Sequence, residues 1–111
     1  MEITDLGEGL KKISLAGRLD TPGVDQVETR FTASIVPAGN NAVVDLSDVE
    51  FIASMGIRMF IAVARGLSAK NGTIALYAPQ DLVKEVFDNV SLGDIVPVCA
   101  TEEEAVAATR A

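Results

Sequence analysis

The feature that most constrains the fold is an alternation of strand-like and helix-like segments that starts at residue 42. Residues 42–46 form an almost wholly apolar run bounded by polar residues, which is typical of a strand covered on both faces. A helical pattern at 57–67, a strand pattern at 73–77 and another helical pattern at 82–90 follow it. Connections this short indicate parallel strands joined by right-handed crossovers.

The segments before residue 42 predict a hairpin and a helix. Residues 2–6 and 11–16 have the pattern of two short strands, and glycines between them supply the backbone freedom that a hairpin turn needs. Thr21 is expected to cap a helix that has Pro22 at its first position, and apolar residues continue at helical spacing as far as Ile35. The hairpin makes the predicted sheet mixed.

The end of the chain completes the predicted fold. Residues 95–98 indicate a last short strand at an edge of the sheet, and Thr101 is expected to cap a C-terminal helix. The central strand is predicted to end at residue 46. We therefore expect one α/β domain over residues 1–111, with a mixed, mostly parallel sheet of about four to five strands and about four helices packed on it.

The composition excludes several classes of function. The formal net charge of −7 repels nucleic acid and anionic lipid, so neither is an expected partner. The apolar runs are too short to span a membrane, and the acidic start differs from a signal peptide, which predicts a cytoplasmic protein. The chain has one cysteine and no histidine, so no zinc or other transition-metal site is expected. No cofactor is expected either.

Ser54 lies where a strand-like run gives way to a helix-like run. A nucleophilic serine needs a base, usually histidine, and a nucleophile elbow would need glycine where this chain has Ile52. We therefore do not expect an enzyme. Ser54 is instead expected either to cap the helix, at a gain of about 1 kcal/mol, or to accept a phosphoryl group, whose charge the helix N-terminus favours.

Two methionines near Ser54 point to a contact surface. Met55 and Met59 fall off the apolar face of the helical pattern that contains Ile57 and Phe60. Partly exposed methionines suit an adaptable surface for a partner, and filling gaps in the core is the alternative. A partner packed over Met55, Gly56 and Met59 would be repelled by phosphate on Ser54, because it would have to desolvate a dianion.

Three aspartates keep a different class of function open. Asp20, Asp45 and Asp48 are placed where strands end, and together they could hold Mg²⁺ in a small nucleotide- or metal-dependent enzyme. The chain has no glycine-rich phosphate loop, and acids in turns usually cap backbone N–H groups. Capping is the favoured interpretation.

Five short motifs, in this order and spacing, resemble a STAS domain of the bacterial anti-sigma factor antagonist type. They are GRLD at 17–20, VVDLSDVEFI at 43–52, ASMGI at 53–57, NG at 71–72 and TEEEA at 101–105. The resemblance covers nearly the whole chain. It implies that Ser54 corresponds to the family's phosphorylated serine.

The resemblance also implies partners and a mechanism. The unphosphorylated protein would bind an anti-sigma factor that is also a serine kinase, and so release the sigma factor. The kinase would phosphorylate Ser54 and end the complex, and a metal-dependent serine phosphatase would restore it. A second interpretation within the same family is a constitutive STAS subunit of an ABC-type lipid transporter, in which no phosphorylation is needed.

The residues around Ser54 match the family's motif only in part. Ala53 replaces an aspartate of the motif, and Met55 replaces a second serine. Asp20 matches the aspartate of the family's G-x-L-D turn and is expected to contact the partner. Arg58, one turn into the helix, is expected to contact an acidic group of the kinase or a phosphate on Ser54, or else to lie free in solvent.

Overall fold

The computed structural model describes residues 1–110, and within them five strands form one mixed sheet in chain order. The strands are β1 (Glu2–Gly7), β2 (Leu10–Leu19), β3 (Asn41–Ile52), β4 (Ile74–Tyr77) and β5 (Val98–Cys99). β1 and β2 form an antiparallel hairpin, and every other neighbouring pair is parallel. The expected mixed, mostly parallel α/β sheet is confirmed.

Four helices and a short 3₁₀ turn connect or follow these strands within residues 1–110. They are α1 (Thr21–Ile35), α2 (Ser54–Ser68), α3 (Asp81–Asn89), the 3₁₀ turn Leu92–Asp94 and α4 (Glu102–Arg110). None of the helices in residues 1–110 has the length and apolar character required to span a membrane.

The helices cover the two faces of the sheet unequally. α1, α2 and α3 pack on one face, where Phe60 stacks edge-to-face on Phe31 at 5.8 Å and on Phe87 at 6.5 Å between ring centroids. These rings join the three helices into the larger core. α4 lies on the other face, where Ala105 packs with Val43 and other apolar residues of the sheet.

A small polar network joins α4 to the sheet. Glu102 Oε1 accepts a hydrogen bond from Tyr77 Oη at 3.1 Å and forms an ion pair with Lys12 Nζ at 2.8 Å. Burial, together with the Glu102 carboxylate, raises the pKa of Tyr77 to about 12. Thr101 Oγ1 accepts from the backbone N–H of Glu104 at 3.2 Å, so the predicted cap of the last helix is confirmed.

β3 is longer than predicted because it contains bulges. The pairing register shifts twice along β2 and β3, and at each shift β3 has one residue more than β2. As a result Leu46, Val49 and Ile52 all face the larger core, with exposures of 0%, 0% and 3%. Strict alternation from Leu46 would instead place Asp48 and Glu50 in that core. The prediction that this strand ends at residue 46 is wrong.

The last strand is shorter than predicted. Residues 95–98 were expected to form it, but β5 contains only Val98 and Cys99. Pro97 has no N–H to donate, although its carbonyl accepts from Leu76 N at 2.9 Å. Ile95 is exposed at the end of the 3₁₀ turn rather than paired in the sheet.

Candidate functional site

The carboxyl ends of β2 and β3 bring the starts of two helices together. In the parallel pairing of these strands, Arg18 lies beside Phe51 and Leu19 lies beside Ile52. The chain then leaves β3 through Ala53, whose N–H donates to the Leu19 carbonyl at 3.0 Å. α1 begins directly after β2 and α2 directly after β3, so the two helix N-termini are neighbours.

Asp20 is the N-cap of α1. Its Oδ1 accepts from Gly23 N at 3.0 Å, and its Oδ2 accepts from Arg18 Nε at 3.1 Å. The Gly23 N–H and the Arg18 guanidinium hold the pKa of the Asp20 carboxyl below its usual value. The prediction that Thr21 caps this helix is wrong by one residue, because Asp20 keeps an extended backbone and Thr21 is already helical.

Gly23 allows α1 to begin this close to β2. A Cβ atom at this position would lie 1.9 Å from the Arg18 carbonyl oxygen, which no side chain can do. No motif in the sequence singled out this glycine. The only indication of its role was its position in the first turn of a predicted helix. Glycine has poor helix propensity, so a glycine at such a position is usually explained by close packing.

Arg18 is fixed at the surface by two contacts. Its guanidinium carbon lies 4.3 Å from the centre of the Phe51 ring, in cation–π geometry, and its Nε pairs with Asp20. Arg18 was not predicted from the sequence as a residue of the candidate site. The contact depends on the bulged register of β3, which no sequence pattern indicated.

Ser54 is the first residue of α2 and is exposed. The N-cap is Ala53, and no side chain caps the helix. The Ala53 carbonyl accepts from Gly56 N at 3.0 Å and from Ile57 N at 3.3 Å. The alternative that Ser54 serves as the helix cap is therefore wrong, and its hydroxyl is presented at the start of the helix with no capping role.

The structure divides the other predicted contact residues into buried and accessible ones. Met59 is only 1% exposed and belongs to the larger core, so the contact-surface interpretation is wrong for Met59 and the alternative, that it fills the core, is confirmed. Gly56 is also buried, and a Cβ there would lie 2.8 Å from Ile52 Cγ1. Its role is to let α2 approach the sheet. Met55 is half-buried and Arg58 is exposed.

The accessible residues of the predicted site therefore form one small surface around Ser54. This Ser54 surface contains Asp20, Ala53, Ser54, Met55 and Arg58, of which Ser54 and Arg58 are exposed and the others half-buried. It lies at the carboxyl ends of the parallel strands, where open α/β sheets commonly place their sites.

The three aspartates considered as a metal site do not act together. Asp45 Oδ1 accepts from Ser47 N at 2.9 Å, and Asp20 caps α1. Both therefore satisfy backbone N–H groups, while Asp48 is exposed on the bulged part of β3. Within residues 1–110, no group of three or more His, Cys, Asp or Glu side chains is placed to hold a metal ion.

Comparison with known proteins identifies the family. The STAS domain model matches residues 5–105. The chain belongs to the STAS domain family. The resemblance inferred from the motifs is thereby confirmed, and the match extends over nearly all of the fold.

Two relatives of this STAS domain have been named as antagonists of anti-sigma factors. One is BtrV of Bordetella bronchiseptica, named as a candidate anti-sigma factor antagonist, which is 29% identical over 111 residues, 99% of this chain and 96% of BtrV. The other is the anti-sigma F factor antagonist of Lysinibacillus sphaericus, 29% identical over 99 residues, 88% of this chain and 84% of the relative.

Among solved structures, this STAS domain is similar to the Bacillus cell fate determinant SpoIIAA in its phosphorylated form. The two share 25% sequence identity with a TM-score of 0.71, over 96% of each chain. A phosphorylated form of a protein with this fold has therefore been observed.

Proposed function

We propose that this STAS domain is an anti-sigma factor antagonist controlled by phosphorylation of Ser54. The unmodified protein binds an anti-sigma factor that is also a serine kinase, and the sigma factor is released. The single observation that carries the proposal is the exposed Ser54 at the first position of α2, in a chain whose relatives are named as such antagonists. We expect it to act in the cytoplasm, where ATP is available.

The modification itself is a simple phosphoryl transfer. The kinase transfers the γ-phosphoryl group of ATP to Ser54 Oγ, the bond between the β- and γ-phosphates breaks, and ADP and the hydroxyl proton leave. A metal-dependent serine phosphatase reverses the state by adding water and releasing inorganic phosphate.

The geometry supports a switch that leaves the fold intact. Phosphate on Ser54 would lie at the N-terminus of a 15-residue helix, where unpaired backbone N–H groups and the helix dipole favour negative charge. No buried contact has to break, because Ser54 is exposed and does not cap the helix. A partner covering Met55 and Ala53, in contrast, would have to accept a charge of about −1.5 to −2 in its interface.

The expected effect on binding is large. Burying or opposing the phosphate should cost the complex about 3 kcal/mol or more, which corresponds to roughly a hundredfold weaker binding. Ser54→Asp adds a smaller charge and should weaken binding in the same direction.

The test is a pull-down from native cell extract with wild type, Ser54→Ala and Ser54→Asp, and with mass spectrometry to identify captured proteins. Ser68→Asp is the matched control, because Ser68 is exposed at the other end of the same helix. We expect an anti-sigma factor kinase with wild type, Ser54→Ala and Ser68→Asp, but not with Ser54→Asp. The purified kinase should then phosphorylate wild type with ATP and leave Ser54→Ala unmodified.

Two outcomes would overturn the proposal. One is a captured kinase that leaves Ser54 unmodified while it phosphorylates another antagonist. The other is capture of a transporter ATPase equally by wild type and Ser54→Asp, which would establish the constitutive transporter subunit instead.

A further inference from the structure

The exposed side of α2 is basic in an otherwise acidic protein. Ser54, Arg58, Ala62 and Arg65 are all exposed, and they recur at helical spacing along one side of the helix. α2 contains no aspartate or glutamate, although the chain has 16 acidic residues and 9 basic ones. This side of the helix is therefore a local positive patch that begins at Ser54.

Arg58 is a free cation on this patch. The salt bridges found within residues 1–110 involve Lys12, Arg18 and Lys84, so Arg58 has no carboxylate partner there. Arg18 also lies near the start of α2, but Asp20 and the Phe51 ring already hold its guanidinium. Arg58 can turn toward a new anion without breaking any salt bridge found within residues 1–110.

The spacing along the helix selects Arg58 over Arg65. Arg58 is four residues after Ser54, a rise of about 6 Å along the helix axis, which places the two side chains on adjacent turns. Arg65 is eleven residues after Ser54, a rise of about 16 Å, which is beyond the reach of its side chain. An acidic group four residues before a basic one is also the more favourable order for such a pair.

We propose that Arg58 is the internal counter-ion of the phosphate on Ser54. This inference deepens the proposed function and rests on it. In the unmodified protein, Arg58 is a free positive charge available to an acidic group of the partner. After phosphorylation, Arg58 forms an ion pair with the phosphate. The Ser54 surface therefore gains negative charge and loses a free cation at the same time.

The other charged groups near the phosphate do not replace Arg58. Asp20 and Arg18 neutralise each other in their ion pair. Arg58 is the cation that remains uncommitted close to Ser54 among the residues of β2, β3 and α2.

The test uses protein made with phosphoserine at position 54 by genetic-code expansion, so that no kinase is required. The second pKa of the phosphate is measured by ³¹P NMR titration in four proteins: otherwise wild type, Arg58→Gln, Arg58→Lys and Arg65→Gln. Arg65→Gln removes the same charge from the same exposed side of α2. Circular dichroism checks that all four proteins remain folded.

We expect Arg58→Gln to raise the phosphate pKa by a few tenths of a unit or more, because the dianion loses its counter-ion. Arg58→Lys should restore much of the difference, and Arg65→Gln should titrate like the wild type. In addition, the Arg58 Nε–H signal should shift between the unmodified and phosphorylated wild-type proteins. Equal phosphate pKa values in Arg58→Gln and wild type, with no shift of the Arg58 signal, would overturn the inference.

This experiment is independent of the search for a kinase. If no kinase modifies Ser54 in the assay described above, the proposed function fails whatever the titration shows. If a kinase does modify Ser54 but Arg58→Gln titrates like wild type, only the role of Arg58 fails.

Discussion

For Gly23→Ala, helix propensity and the packing seen in the structure predict changes in stability of opposite sign. Gly23 lies in the first turn of α1, where helix propensity alone favours alanine by about 1 kcal/mol. The structure predicts the opposite result. A Cβ atom there would meet the Arg18 carbonyl oxygen at 1.9 Å and the Asp20 Oδ1 atom at 3.2 Å.

The loss of stability in Gly23→Ala can be estimated from the backbone movement that the added Cβ atom requires. Contacts of a Cβ atom below 3.0 Å essentially never occur, so the start of α1 and the end of β2 must separate by about 1 Å or more. The obstructing atom belongs to the backbone, and no side-chain rotation relieves the contact. Such overpacking typically costs about 1–3 kcal/mol. The displacement also disturbs the hydrogen bond from Gly23 N to Asp20, so we expect Gly23→Ala to lose about 2 kcal/mol of unfolding free energy in total.

The measurement is equilibrium urea unfolding of wild type, Gly23→Ala and Gly93→Ala. Gly93 is the control, because a Cβ atom added at this position would have no neighbouring atom within 4 Å. Gly93→Ala should stay within about 0.5 kcal/mol of wild type. A Gly23→Ala protein as stable as wild type, or more stable, would refute the packing argument.

Two further predictions concern the core and the second face of the sheet. Met59→Ala should lower the free energy of unfolding, measured by urea denaturation, by about 2–5 kcal/mol, as expected for a buried methionine. Met55 is half-buried, so Met55→Ala should lower it clearly less. Equal losses would contradict the assignment of Met59 to the core. Tyr77 is the chain's one tyrosine and there is no tryptophan, so its ionisation can be followed by ultraviolet absorbance. It should titrate at about 12, and Glu102→Gln should lower that value; a midpoint near 10.0 would show that Tyr77 is not buried against Glu102. Because the folded pKa is the higher one, the stability linked to Tyr77 is present below pH 10.0 and is lost as the pH rises towards about 12.

The sequence predicted the elements that depend on long apolar patterns. The alternation after residue 42 indicated the parallel strands and their helices, because periodicity reports burial directly. It did not predict the extent of β3. Val49 lies three residues after Leu46 and three before Ile52, a spacing that only bulges reconcile with a strand. Bulges depend on pairing with another strand, so a single segment does not reveal them.

The sequence indicated where the residues of the candidate site lie in the fold, but not how each of them is packed. The start of α2 and Asp20 were placed correctly at neighbouring strand ends. The sequence left Met59 open between the surface and the core, because the apolar side of α2 was centred on Ile57 and Phe60. The buried side is in fact rotated towards Met59. α2 packs against both α1 and the sheet, and this wider contact buries residues that a one-sided helix would expose.

The bulged half of β3 also bears on self-association. β4 pairs with β3 only as far as Asp45, so the residues of β3 beyond it have an unpaired edge, the kind of edge onto which another chain can add a strand. The two bulges make the spacing of its N–H and C=O groups irregular, and Asp48 and Glu50 add like charges. Gln80 Nε2 already donates to the Ser47 carbonyl at 2.8 Å. The same extra residues that bring the chain to Ser54 therefore discourage two copies from joining edge to edge into an aggregate.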